Sequence, residues 1–166
     1  MRRYQLRQKL WTFGDDFAIC DEAGREVYYV DGRAWSIGDR LSFQDAGRNE
    51  IAFISQRLLS WGKTYDISAA GRHIAQVRKH LFTFLRCKFT VDVPGPDDLE
   101  ATGSFLEMEY TFHRGGRTVA TVSKRWFSIT DRYGVEISDA GVDDVIILAS
   151  AVVIDLCCHD EKNSHD

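Results

Sequence analysis

An apolar run near the end of the chain restricts the fold more than any other feature. Residues 145–154 read VIILASAVVI, between Asp143-Asp144 and Asp155. Acidic residues in a first turn favour a helix, although the β-branched side chains also suit a strand. A helix that is apolar on every side must be buried or lie in a membrane, and about ten residues fall short of the roughly twenty that span a bilayer. We therefore predict a buried helix with protein walls all round, which a β-barrel supplies.

A repeat in the rest of the chain predicts those walls. Four of the Gly-Arg pairs begin at residues 24, 47, 71 and 116, so the gaps between them are 23, 24 and 45 residues, the last close to two units. An aliphatic-Ala-x-aliphatic motif follows three of the pairs, at 51–54, 74–77 and 119–122. Glycine supplies the positive φ that tight turns need, and the segments between the turns are rich in Val, Ile, Thr and aromatic residues, as strands are. The pattern predicts a mainly β fold, an antiparallel closed barrel of roughly ten to twelve strands wrapped around the helix. We place one of the strands at 105–112.

Length and composition indicate one domain. The chain has 166 residues and a formal net charge of −4, so it has no global attraction to nucleic acid. We predict a single barrel domain over 1–158 and a frayed polar tail over 159–166. The first residues lack the apolar stretch of a secretory signal, and the four cysteines lack the spacing of a disulfide framework. These features favour free thiols and a cytoplasmic location.

The most distinctive stretch is 119–137, VATVSKRWFSITDRYGVEI, and residues 8–13 and 151–155 add to it. With these motifs the chain resembles the LURP-one-related family of the tubby-like C-terminal domain superfamily, from about Tyr4 to Asp155. The resemblance implies a twelve-stranded barrel threaded by the C-terminal helix. It also implies a binding module, since tubby domains are similar to phosphoinositide-binding modules. No residue of their lipid site matches a motif here, so none is carried over.

Basic clusters are the candidate ligand-binding residues. They recur at equivalent places in the repeats: Arg57, Arg78, Lys79, Lys124 and Arg125. On one barrel rim they could hold phosphates through arginine forks and lysine point charges, with the aromatic neighbours Phe82, Trp126 and Phe127 at a headgroup interface. The alternative is that these charges keep strand ends soluble and point to different sides of the barrel.

Catalytic motifs are missing from the sequence. It contains no nucleophile elbow, phosphate loop or dinucleotide fingerprint, and its histidines are scattered, so we predict no cofactor and no metal site. Asp131 and Tyr133 are expected to shape a turn before Gly134 and not to perform acid–base chemistry. The four tryptophans are expected to pack in the core or at strand edges.

The sequence thus predicts a non-enzymatic module that binds anionic phospholipid or phosphoinositide headgroups through a basic rim, in the cytoplasm and peripherally at a membrane. It is not expected to be transmembrane or to bind nucleic acid. The alternative is a structural or adaptor protein that holds a protein partner through its barrel loops.

Overall fold

The computed structural model describes residues 1–9, 16–32, 38–83, 86–96, 98–126 and 132–163, except for the side chains of 82–83, 86–87 and 159–163. Twelve strands and one helix lie within these residues. The strands are β1 (Arg2–Gln8), β2 (Phe17–Cys20), β3 (Glu26–Gly32), β4 (Arg40–Asp45), β5 (Glu50–Gln56), β6 (Thr64–Ala69), β7 (Arg72–Thr83), β8 (Arg86–Asp92), β9 (Leu99–Ser104), β10 (Glu109–Arg114), β11 (Arg117–Ser123) and β12 (Arg132–Ile137), and the helix is α1 (Asp144–Asn163).

The strands form a closed antiparallel barrel. Each strand pairs with the next along the chain, and β1 closes the ring by pairing with β12, with Tyr4 opposite Val135. Closure leaves no free sheet edge for another chain to join. The predicted closed barrel around a C-terminal helix is confirmed.

Connections alternate between the two ends of the barrel because consecutive strands run in opposite directions. We call one end the turn end: it holds the β2–β3, β4–β5, β6–β7, β8–β9 and β10–β11 connections and the segment from β12 to α1. The other is the loop end, which holds the β1–β2, β3–β4, β5–β6, β7–β8, β9–β10 and β11–β12 connections. The helix enters at the turn end and runs towards the loop end.

The Gly-Arg pairs of the repeat all lie at the turn end. Gly24, Gly71 and Gly116 have φ of 78°, 73° and 79°, in the left-handed region that glycine enters without a steric penalty. In the Gly47-Arg48 copy the arginine itself has a φ of 66°. The repeat is therefore a two-strand hairpin whose turn is set by local backbone chemistry.

Helix α1 fills the barrel. Every residue from 147 to 154 is fully buried, and each large aliphatic side chain among them contributes about 1.5–3 kcal/mol by leaving water. The one hydroxyl in this stretch, on Ser150, donates to the carbonyl of Ile146 at 2.7 Å, so it costs little to bury. Asp144 in the first turn accepts hydrogen bonds from Arg2 Nε at 2.7 Å and from the Tyr4 hydroxyl at 2.6 Å, which ties the helix to β1.

Two local predictions were wrong. Residues 105–108 form a turn, in which Met108 N donates to the Phe105 carbonyl at 3.0 Å, and the strand begins only at Glu109. Phe105 and Met108 of that turn are buried, so their apolar character mimicked a strand. Tyr133 and Gly134 lie inside β12 and form no turn.

The apolar run did not indicate where the helix ends. The helix continues through Asp155 to Asn163, well beyond that run. The backbone of 159–163 is thus helical, while 164–166 lie outside the described residues, and fraying of the tail stays a prediction.

Candidate functional site

Four exposed apolar side chains gather at the loop end. Leu59 and Trp61 on the β5–β6 loop are fully exposed, at 102% and 101%, while Leu58 and the neighbouring Leu81 of β7 are more than half exposed. We call these four residues the apolar tip. Large apolar side chains so placed gain free energy when a membrane or a partner covers them.

The β5–β6 loop is held in a defined conformation. The amide of Arg57 donates to the Thr64 carbonyl at 2.8 Å, and the amide of Lys79 donates to the Lys63 carbonyl at 3.0 Å. Ser60 Oγ donates to the carbonyls at both ends of the bend, those of Arg57 and Gly62, at 3.1 and 2.9 Å. The apolar tip is therefore presented by an ordered bend and does not result from a loose loop.

Gly62 permits this bend. Its φ is 80°, and a Cβ on it would lie 3.1 Å from the carbonyl oxygen of Lys79. A side chain there would push the loop away from β7.

Two of the predicted basic residues lie beside the apolar tip on the outer wall. Arg57 Nε lies 2.5 Å from Asp66 Oδ2, and Arg78 donates to Gln76 Oε1 at 2.8 Å and lies 4.0 Å from Asp92. Burial acts to raise the pKa of Asp66, but the hydrogen bonds from Gln76 and Arg57 outweigh it, so this pKa is lowered. The two arginines keep outward, solvated faces and are already ordered by their partners.

Lys79 does not share that surface. It is only 6% exposed, because it follows Ala75 and Val77 on the inward face of β7, and its Nζ lies 5.9 Å from the ring centre of Phe89. The alternation of the strand, which places successive residues on opposite faces, separates it from Arg78.

Lys124 and Arg125 lie on another part of the barrel. They follow β11, and strands β8, β9 and β10 separate that strand from β7. Glu109 Oε1 accepts from the amides of both residues at 3.0 Å, and Arg125 Nε lies 3.8 Å from the same oxygen. The structure thus brings Arg57 and Arg78 together and leaves Lys124 and Arg125 apart.

Sequence reasoning missed the apolar tip. It expected Trp61 to pack in the core or at a strand edge, and the full exposure of this side chain shows that this was wrong; Trp126 is 46% exposed. Trp11, Trp35 and Phe127 lie outside the described residues. The available signal was the sequence LLSWG at residues 58–62. Its Ser and Gly are turn residues, and apolar residues in a turn have little to pack against.

Two buried tyrosines face the helix inside the barrel. Tyr110 and Tyr133 are 3% and 4% exposed, and neither hydroxyl has a hydrogen bond of normal geometry. Burial raises the pKa of both well above the ordinary value, and the nearby carboxylate of Asp155 acts in the same direction. Both groups stay protonated at neutral pH and supply no base.

Other kinds of site have few candidates in the described part of the chain. Within it, no group of three metal-ligating side chains comes together, and Cys20, Cys157 and Cys158 are buried and are not in disulfide bonds. Asp131 lies outside the described residues. No described helix is long and apolar enough to cross a bilayer.

Comparison with known proteins places the chain in a family. An Arabidopsis thaliana protein solved by X-ray crystallography has a similar fold, with a TM-score of 0.67 and 14% sequence identity over 93% of this chain and 91% of that one. No curated protein matches the chain significantly. The family profile described as LURP-one-related matches residues 2–155, which include all twelve described strands and α1 as far as Asp155. The chain therefore belongs to the LURP-one-related family.

Proposed function

We propose that this protein is a non-enzymatic module that binds anionic phospholipid surfaces through the loop end of its barrel. One observation carries the proposal: Leu59 and Trp61 of the apolar tip stand fully in solvent on an ordered loop, with Arg57 and Arg78 beside them. Tryptophan and leucine at the end of a loop suit the boundary between headgroups and acyl chains. Cations at the same level attract anionic headgroups by about 1 kcal/mol each.

The paired state of the arginines fits this role. Arg57 and Arg78 are each held by an acidic neighbour, so little side-chain entropy is lost when a phosphate approaches. Each guanidinium has five N–H donors, and the contacts to Asp66, Gln76 and Asp92 use only some of them. A headgroup phosphate can therefore bind to either arginine while the arginine keeps its contact with the acidic neighbour. Phosphoinositides, with more charge per headgroup, would bind more tightly than singly charged lipids.

This proposal revises the basic rim predicted from the sequence. Lys79 is buried and does not belong to the contact surface, while Lys124 and Arg125 would meet a membrane only if the whole loop end lies flat on it. A peripheral position at the cytoplasmic face of a membrane is part of the proposal.

Vesicle sedimentation tests the proposal. Vesicles of neutral lipid are compared with vesicles that also contain phosphatidylserine or a phosphoinositide, at low and physiological salt. Binding is expected only with anionic lipid. Leu59→Ser should weaken it about tenfold or more because one leucine loses its apolar contact, and Arg57→Gln should weaken it about fivefold. The matched control is Arg25→Gln, which removes an ion-paired, 79% exposed arginine from the turn end.

A protein partner is the second candidate, because the same apolar tip would suit a protein interface. Absence of binding to every vesicle would reject the lipid proposal. Capture of a defined protein by the unaltered chain, lost in Leu59→Ser, would then support the adaptor role. Equal weakening by Arg25→Gln and Arg57→Gln would show that general charge, and not the loop end, attracts the membrane.

A further inference from the structure

A concave surface lies on the side wall of the barrel, away from the apolar tip. It is a groove of about 740 Å³ between the outer faces of β1 and β12, the β2–β3 turn and the side chain of Trp126. Grooves of this size hold a small-molecule ligand or the side chains of a few peptide residues. Strands β2, β3 and β4 separate it from β5 in one direction, and β7 to β11 separate it from β6 in the other.

A glycine opens the floor of the groove. Gly134 pairs with Gln5 of β1 and with Ser123 of β11. Its neighbours Tyr133 and Val135 are buried inward, so its missing side chain would have pointed outward. The indole of Trp126, three residues beyond the end of β11, lines the groove above this gap and is 46% exposed.

The lining of the groove is acidic. Three carboxylates, Asp21, Glu22 and Glu136, face one guanidinium, Arg3, so the formal charge of the lining is −2. Glu136 is paired with Arg3 at 2.6 Å, and Asp21 is paired with Arg25 at 2.7 Å. Glu22 makes no ion pair within the described part of the chain and is exposed at the mouth. The groove therefore holds one uncompensated carboxylate, on Glu22, and one half-exposed indole, on Trp126.

An indole face and an uncompensated carboxylate in the same groove are both complementary to cationic side chains. A guanidinium or ammonium over tryptophan is attracted by the negative face of the ring quadrupole, and a carboxylate accepts a charge-assisted hydrogen bond from such a cation. We propose that the groove binds an arginine- or lysine-containing segment of a partner protein, whose cationic side chains contact Trp126 and Glu22.

The acidic lining disfavours an anionic membrane here, and the closed barrel offers no edge for strand addition. The segment would therefore bind through its side chains. Because the groove lies on the far side of the barrel from the apolar tip, both surfaces can be occupied at once.

Peptide binding tests this inference. A short fluorescein-labelled peptide of alternating arginine and glycine is titrated with the full chain by fluorescence polarisation, and a peptide with glutamate for arginine serves as the probe of opposite charge. The arginine peptide is expected to bind and the glutamate peptide is not. Trp126→Ala and Glu22→Lys should each weaken binding about tenfold or more. Glu107→Lys makes the same charge change at an exposed position outside the groove and should leave the affinity unchanged.

Several outcomes would overturn the inference. These are no binding of the arginine peptide, equal binding of the glutamate peptide, or the same loss in Glu107→Lys as in Glu22→Lys. Circular dichroism of each variant confirms that the barrel is folded. Vesicle binding by Glu22→Lys should be retained, so failure of the groove and failure of the membrane proposal give different results.

Discussion

Removal of one side chain from the buried helix gives the sharpest test of the fold. Leu148 is completely buried in α1, and the closed ring of strands surrounds it. Leucine-to-alanine changes in cores cost about 2–5 kcal/mol, and the cost is highest where the surroundings cannot collapse into the space. A closed barrel hydrogen-bonded all round resists such collapse. We therefore expect Leu148→Ala to lower the free energy of unfolding by about 4 kcal/mol.

Urea denaturation measures this loss. Far-UV circular dichroism and tryptophan fluorescence should follow one transition with an unchanged slope, since the surface exposed on unfolding is nearly the same. For a domain of this length the midpoint of thermal unfolding should fall by roughly 8–16 °C. The control Leu106→Ala truncates a leucine that is 53% exposed and should cost less than about 0.5 kcal/mol. A loss in Leu148→Ala no larger than that of the control would refute an enclosed helix.

Two more predictions concern pH and backbone geometry. Burial raises the pKa of Tyr110 and Tyr133, so their contribution to stability is complete below about pH 10 and is lost as the pH rises towards the folded-state pKa values. The free energy of unfolding should therefore fall above about pH 10, and it should fall less steeply in Tyr133→Phe. An equal slope in that variant would contradict the assignment. Gly103 has a φ of 145° and approaches the Glu109 carbonyl so closely that a Cβ would lie 2.5 Å from it. Gly103→Ala should therefore cost about 2 kcal/mol or more, whereas Gly24→Ala, with a φ of 78° and open space around it, should cost about 1 kcal/mol in the same denaturation assay.

Features that depend on local chemistry could be predicted from the sequence. The Gly-Arg turns were correct because a positive φ is a property of the turn residues themselves, as at Gly24 and Gly116. The buried helix was correct because an all-round apolar segment of that length has few other solutions. The turn at 105–108 was missed because Phe105 and Met108 are buried like strand residues, while the backbone reverses between them.

Features that depend on the closed ring could not be predicted. Arg78 and Lys79 are adjacent in sequence but lie on opposite faces of one strand. Only the inward direction of Ala75 and Val77 shows that Lys79 is the buried residue and Arg78 the exposed one. Equivalent positions in a repeat become positions spread around a circle once the ring closes, which separates Lys124 from Arg57. The groove beside Trp126 is built from β1, β12 and the β2–β3 turn, so no continuous stretch of sequence contains it.

The order of elements along the chain has a consequence for synthesis. All twelve strands precede α1, so the ribosome makes the wall of the barrel before the segment that fills it. At about 5–20 residues per second, β1 waits on the order of ten seconds or more for the helix, and the completed wall waits about 1–3 seconds. During that time their inward residues, such as Phe43, Phe89 and Phe112, lack their final partner. Protection of the nascent chain by chaperones is therefore expected to matter until residues 147–154 have left the exit tunnel, and the final step of folding inserts the helix into the wall or closes the wall around it.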